Sequence, residues 1–214
     1  LAAHTGGDAE AEFPSLERWL ELLLPAPKGK KGGLYLVRSF LGIEEPFVGR
    51  VDIRVREVAA EADVSSQRVY QALGQAESDW RKQAALPKLV ELAHTVLDEL
   101  GCAAPLDRAA EALARRLEHS DASPTQLQRG AAVLWRILAR LSVDDEVDTP
   151  SVSLASHGGV SWIACSAAHL SVIDVLGEAA DRLAARVPLA ASGEVELELR
   201  SVVAGTPLAD LESS

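Results

Sequence analysis

Apolar residues recur along most of this chain with helical spacing, and the places where that spacing breaks divide it into units. Leu16, Trp19, Leu20, Leu23 and Leu24 fall on one stripe, Ser15 stands at the N-cap position, and Pro25 stops the helix. Pro25 to Gly33 then reads as a flexible loop carrying Lys28, Lys30 and Lys31. Leu34, Val37, Phe40 and Leu41 predict a short second helix from Leu34 to Leu41, capped by Gly42. Glu44 to Gly49, with Pro46, reads as a linker.

Residues 54–82 carry the clearest pattern. Val55, Val58 and Ala59 put an apolar stripe on a helix from Arg54 to Ala62, and Asp63-Val64-Ser65 break it. Val69, Ala72 and Leu73 mark a second helix that begins at Ser65 or Ser66. Ala59, Val64 and Val69 have the offsets of a helix-turn-helix. A small residue lets the helices cross closely, an apolar one plugs the turn, and a β-branched one packs the second helix onto the first. Ser65, Ser66, Gln67, Arg68, Tyr70 and Gln71 are then left on the exposed reading face. The turn wants a positive φ, for which Gly is usual; Asp63 tolerates it better than most side chains. A plain αα-hairpin fits the same periodicity.

A second helical unit follows. Leu86, Leu89, Val90, Leu92, Ala93, Val96, Leu97 and Leu100 form a broad stripe ended by Gly101. Leu106 to Leu117 is the next helix, and Pro124 to Leu141 the third, with Leu127, Ala131, Leu134, Leu138 and Leu141 inside. The period then changes to two: Val152 and Leu154, then Val160, Trp162 and Ala164, alternate around His157-Gly158-Gly159. This predicts a β-hairpin over 151–165, with Trp162 packed inward on the preceding helices. Three helices and a hairpin make the layout of a winged helix. A helix from Ala168 to Val187 follows, with Leu170, Ile173, Leu176, Ala180 and Leu183 inward. Over Glu194 to Val203, Val195, Leu197 and Leu199 alternate as in a strand, yet Val195, Leu199, Val202 and Val203 also suit a helix, and the helix is the reading taken. The expected fold is mainly α, with tandem helix-turn-helix and winged-helix-like units. The expected divisions are 1–50, 51–85, 86–190 and 191–214.

Charge changes the picture in one respect. The net charge of −11 argues against a generic nucleic-acid coat, but it is uneven. Residues 28–82 hold ten Lys and Arg against eight Asp and Glu, a net +2, whereas 83–214 hold ten against nineteen, a net −9. Nucleic-acid contact is therefore expected in the middle segment.

Candidate chemistry is sparse. Gly29-Lys30 is no P-loop, since the upstream glycine and the following Ser or Thr are missing. Asp144, Asp145, Glu146 and Asp148 lack EF-hand spacing and read as a solvated loop. His4, His94, His119, His157 and His169 are dispersed, and His94 reads as a satisfied, partly buried residue. Cys102 and Cys165 make neither a metal-ligand pattern nor a disulfide framework and read as small buried hydrophobes, which suits a reducing cytoplasm. Ser156-His157 lacks the G-x-S-x-G setting of a hydrolase. No catalytic residue, metal site or cofactor is expected, and no stretch spans a membrane. The chain has no Met and starts at Leu1, which reads as a piece of a longer protein.

The run from Val55 to Trp80 resembles a sigma-factor region-4-type helix-turn-helix. More particularly, it resembles the helix-turn-helix region of the PglW-type serine/threonine kinases of bacterial Pgl and type 2 BREX phage-defence systems. Leu20 to Pro25, Val37 to Gly42, Val96 to Gly101, Leu106 to Leu117, the hairpin and Leu176 to Asp181 match the same order, so the resemblance covers about 16–211. Arg68 matches the family's pattern, while Ser66 stands where a base is common and Asp63 where Gly is favoured. The resemblance implies a non-catalytic DNA-binding module of a larger defence kinase. No Gly-rich loop, HRD or DFG occurs in this chain, so the kinase domain would lie outside it. Ser65, Ser66, Gln67, Arg68, Tyr70, Gln71, Lys28, Lys30 and Lys31 are the expected DNA contacts. Two other readings fit: a protein-docking or dimerisation scaffold within a defence complex, and a free-standing transcription regulator.

Overall fold

The Ser15 hydroxyl accepts a hydrogen bond from the Arg18 amide at 3.3 Å and opens α1 (Leu16–Leu23), whose Leu16, Trp19 and Leu23 are buried. The computed structural model describes residues 14–117, 123–142, 152–185 and 192–204. The acidic loop with Asp144, Asp145, Glu146 and Asp148, together with His4, His119 and the expected helix end at Val187, lies outside these residues.

The first unit is a three-helix group: α2 (Gly33–Phe40), α3 (Val55–Glu61) and α4 (Ser66–Arg81). Its inner residues include Val58, Ala59, Val69, Ala72 and Leu73, as the helix-turn-helix offsets require. The inner side of α2 differs from the expected one. Tyr35, Leu36, Val37 and Ser39 are buried, while Leu34 and Phe40 are half-exposed. Phe40 stays at the edge because the guanidinium groups of Arg136 and Arg140 lie 5.9 and 5.5 Å from its ring centre.

The segment between α2 and α3 is anchored along its length. Gly42, at φ +74°, closes α2, and a Cβ there would stand 2.5 Å from the Arg50 carbonyl. Phe47 and Ile53 are buried. The segment forms no strand, so its carbonyls take their donors from a distant side chain. Arg136 donates to the carbonyls of Phe40 at 2.7 Å, Val51 at 3.0 Å and Arg50 at 3.1 Å. Only 6% of Arg136 is exposed. Burial lowers its pKa to about 10, so it remains charged at neutral pH.

The second unit runs α5 (Leu86–Glu99), β1 (Ala103–Pro105), α6 (Leu106–Arg116), α7 (Pro124–Leu141), β2 (Ser153–His157) and β3 (Val160–Ala164). Ser123 and Gln126 form a reciprocal capping box at the start of α7. The hairpin is joined by a third strand that alternation did not reveal. β1 is three residues long and pairs antiparallel with β3, giving the order β1-β3-β2. This places a winged-helix-like sheet beside three helices.

The expected inward packing of Trp162 on the preceding helices is not what the sheet does. Ile163, fully buried, is the residue that joins the core, opposite Ala104 and Leu154. Val160, Trp162 and Ala164 share the other face with His157, which meets α8 (Ala167–Ala184) through Asp174 and Gly177. Of these, Val160 is exposed and Trp162 half-exposed. Both faces are covered, so alternation alone names a face without saying what covers it.

α8 is buried at Leu170, Val172, Ala179 and Leu183, while Ile173 and Leu176 are half-exposed and Ala180 is exposed. The sheet takes one side of α8, around Asp174 and Gly177, and α9 (Ser192–Ala204) packs on it as well. Apolar side chains from α1 through β3 form one buried cluster that runs across positions 50 and 85. Polar contacts add to this: Trp80 of α4 donates to the Leu23 carbonyl of α1 at 2.7 Å, and between the two units Arg140 meets Glu77 at 2.5 Å and Arg81 donates to the Leu141 carbonyl at 3.2 Å. Among the described residues no helix is long and apolar enough to cross a membrane.

Candidate nucleic-acid interface

The turn between α3 and α4 is closed by the Val64 amide, which donates to the Ala59 carbonyl at 2.9 Å. Asp63 adopts φ +52° there, the left-handed conformation expected for that position. Ser65 caps α4, its hydroxyl accepting from the Arg68 amide at 3.2 Å. Because Val69, Ala72 and Leu73 face the core, Ser65, Ser66, Gln67, Arg68, Tyr70 and Gln71 are all exposed. The Arg68 guanidinium makes no ion pair among the described residues, and Tyr70 is 61% exposed.

The basic loop meets this turn at one point. Lys31 Nζ lies 2.8 Å from Asp63 Oδ2 and 3.5 Å from the Asp63 carbonyl. That contact holds the Asp63 carboxyl below the usual carboxylate range. Lys31 is therefore brought to the turn but partly neutralised there, while Lys28 and Lys30 are exposed on the same loop. Sequence reasoning missed two more bases. Arg54 stands at the N-cap position of α3, its amide donating to Glu57 Oε2 at 2.8 Å, and Arg56 lies in the first turn, both exposed. Their signal was the Arg-Val-Arg alternation ahead of the apolar stripe. The nearby Arg50 is committed within the fold, at 3.1 Å from Glu57 and 3.8 Å from Asp52.

The second unit offers no matching face. The central residues of α7, from Gly130 to Leu138, are all covered or nearly so, leaving exposed side chains only near its start, at Pro124, Thr125, Gln126 and Arg129. A cavity of about 500 Å³ opens between α1, the Gly42–Val51 segment and α7, lined in part by Leu20, Leu24, Ile43 and Val48. It contains none of the residues expected to contact DNA.

The remaining candidates sort by their contacts. Ser156 and His157 diverge: the serine hydroxyl donates to the Val160 carbonyl at 3.4 Å, and His157 Nδ1 lies 3.0 Å from Asp174 Oδ1. His169 Nδ1 is 2.7 Å from the Ser166 hydroxyl. His94 departs from the expected satisfied state, since its Nε2 is buried without a hydrogen-bond partner among the described residues. Cys102 and Cys165, far apart in sequence, are cross-strand neighbours: the Cys165 amide donates to the Cys102 carbonyl at 2.9 Å. Burial, with Cys102 and Asp98 alongside, pushes the Cys165 thiol up to about 12. Comparison with models of protein families, with curated proteins and with solved structures finds no match to this chain.

Proposed function

We propose that this chain is a non-catalytic module that contacts duplex DNA through α4, within a larger phage-defence serine/threonine kinase of the PglW type. One observation carries the DNA part of this reading: the first turns of α4 present a polar, exposed face whose Arg68 has no ionic partner among the described residues. A helix-turn-helix sets the start of its second helix in the major groove, where Gln67, Arg68 and Gln71 would reach base edges or phosphates. Its first helix crosses the backbone, which suits Arg54 and Arg56. Lys28, Lys30 and Lys31 would follow neighbouring phosphates. The acidic remainder of the chain repels DNA from other faces and orients the encounter. The kinase part rests on the sequence resemblance.

The test is a salt-titrated anisotropy measurement with a labelled duplex. About three to five phosphate contacts predict weak binding with a log–log slope of roughly −3 to −4. Arg68→Ala lowers affinity, and replacing Lys28, Lys30 and Lys31 together flattens the slope. The purified chain is also expected to transfer no phosphate from ATP. A second reading, protein docking, is favoured by the exposed Tyr70 ring in the middle of the face. Undetectable DNA binding at low salt, or binding indifferent to all four substitutions, would leave docking as the better reading.

A further inference from the structure

We propose that Asp98, Cys102 and Cys165 form a three-ligand site for a thiophilic divalent cation, zinc being the natural occupant. Asp98 lies in the last turn of α5, Cys102 just beyond the helix end, and Cys165 at the end of β3. Asp98 Oδ1 stands 3.6 Å from Cys102 Sγ and 3.8 Å from Cys165 Sγ, and all three donor atoms lie within 4.8 Å of one another. Zinc bonds to sulfur at about 2.3 Å and to carboxylate oxygen at about 2.0–2.2 Å, so the oxygen–sulfur edge of a tetrahedral site is roughly 3.5–3.7 Å. The two oxygen–sulfur distances are close to that value, and the two sulfurs lie within 4.8 Å of each other.

The backbone already holds the donors in place. The Cys102 amide donates to the Leu97 carbonyl at 2.8 Å and the Cys165 amide to the Cys102 carbonyl at 2.9 Å. Cys102 sits at φ +63°, a left-handed conformation uncommon for a residue with a Cβ, and this turns it back alongside Asp98. Charge favours a cation as well. The last turn of α5 contains no basic residue, although the carbonyl end of a helix favours positive charge. Arg116 pairs with the neighbouring Glu99, whereas the Asp98 carboxylate has only the two thiols as side-chain partners among the described residues.

Binding exchanges protons for the ion: one Zn²⁺ and two S–H groups give a zinc held by two thiolates and one carboxylate, with two H⁺ released. Asp98 is exposed and both cysteines are half-exposed, so the fourth position opens to water. The ion would tie the end of α5 to the strand pair β1 and β3 and so fasten the second unit.

The experiment uses the whole chain, reduced and freed of metal. Cobalt(II) is expected to bind one ion per chain with a tetrahedral visible spectrum and sulfur-to-cobalt charge transfer, and zinc to displace it. Zinc should also raise the melting temperature and slow alkylation of both thiols. C102S and C165S abolish the charge-transfer band, and D98N weakens binding at least tenfold. Because a serine variant could fail to fold, the alkylation arm is read on the unaltered chain. Thiols that react equally fast with and without zinc overturn the proposal. So does cobalt binding that survives both serine variants, or a reduced chain that closes a Cys102–Cys165 disulfide in air and shows no zinc protection.

Discussion

Two helices that should do the same work in their respective units have opposite surroundings. α4 is the second helix of the first unit's helix-turn-helix, and α7 occupies the corresponding place in the winged-helix-like unit. α4 buries one stripe and leaves its first turns open, whereas α7 is enclosed from Gly130 to Leu138. A glycine in each helix shows the difference at atomic scale. A Cβ on Gly74 of α4 would have no neighbour within 4 Å, while one on Gly130 of α7 would meet Leu16 Cδ2 and Leu20 Cδ1 at 3.0 Å. A repeated fold unit therefore does not imply a repeated role. In this chain one unit keeps its outward helix free, and the other uses the same helix as the post on which α1, α4 and the α2–α3 segment are mounted.

The sharpest test of that division is Arg136. Arg136→Met leaves three part-buried carbonyls without this donor and, at about 1–2 kcal/mol for each, should cost roughly 3–5 kcal/mol in urea unfolding. A loss under about 1 kcal/mol would mean that water takes the arginine's place and α7 is not the post. Next is the sheet beside α7. Ile163→Ala should cost about 2–5 kcal/mol, since that side chain is fully buried. Trp162→Ala, on the half-exposed face toward α8, should cost clearly less despite removing more atoms; the reverse ranking would reinstate Trp162 as the core residue.

The paired glycines sharpen the comparison further. Gly130→Val should destabilise by roughly 1–3 kcal/mol through overpacking. Gly74→Ala should stabilise by about 0.5–1 kcal/mol, because helix propensity improves and nothing stands in the way. Equal melting shifts for the two would erase the distinction. The smallest effect on stability belongs to Tyr70→Ala, within about 0.5 kcal/mol as for other surface changes. Its consequence should appear only in partner binding, so a folded variant with unchanged melting is the reagent for separating DNA contact from docking. Asp63→Asn releases Lys31 and removes a negative charge from the reading side, and should steepen the salt slope by about one.

What could be read from residues alone follows from how local each signal is. The α3–turn–α4 unit was legible because Ala59, Val64 and Val69 act over ten residues and Ser65 caps what immediately follows it. α7 was legible to its bounds, since Pro124 marks its start and the apolar stripe carries it to Leu141, although the Ser123–Gln126 box that caps it was not read. β1 was not, because three residues carry no period and its partner β3 lies about sixty residues downstream. The inner face of β3 was misassigned because Ile163 and Trp162 are both apolar and alternation cannot say which of two covering layers is the core. The exposed face of α4 came from the same local pattern, but the Lys31–Asp63 pair beside it joins residues thirty-two apart. Nothing in the spacing of Cys102 and Cys165 announces that the sheet sets them side by side.

The Arg136 contacts also set an order of assembly. Their partners precede it by 85, 86 and 96 residues. As a chain grows from its N-terminus, α2, α3 and α4 have all emerged before the side chain that completes the link between α2 and α3 exists. The helix-turn-helix must therefore wait in an incompletely tied state until α7 is made, and such loop closures at long sequence separation are the slow ones. The helix-turn-helix is thus among the last parts of the finished molecule to be made rigid, and truncation just before α7 would yield its helices without their support.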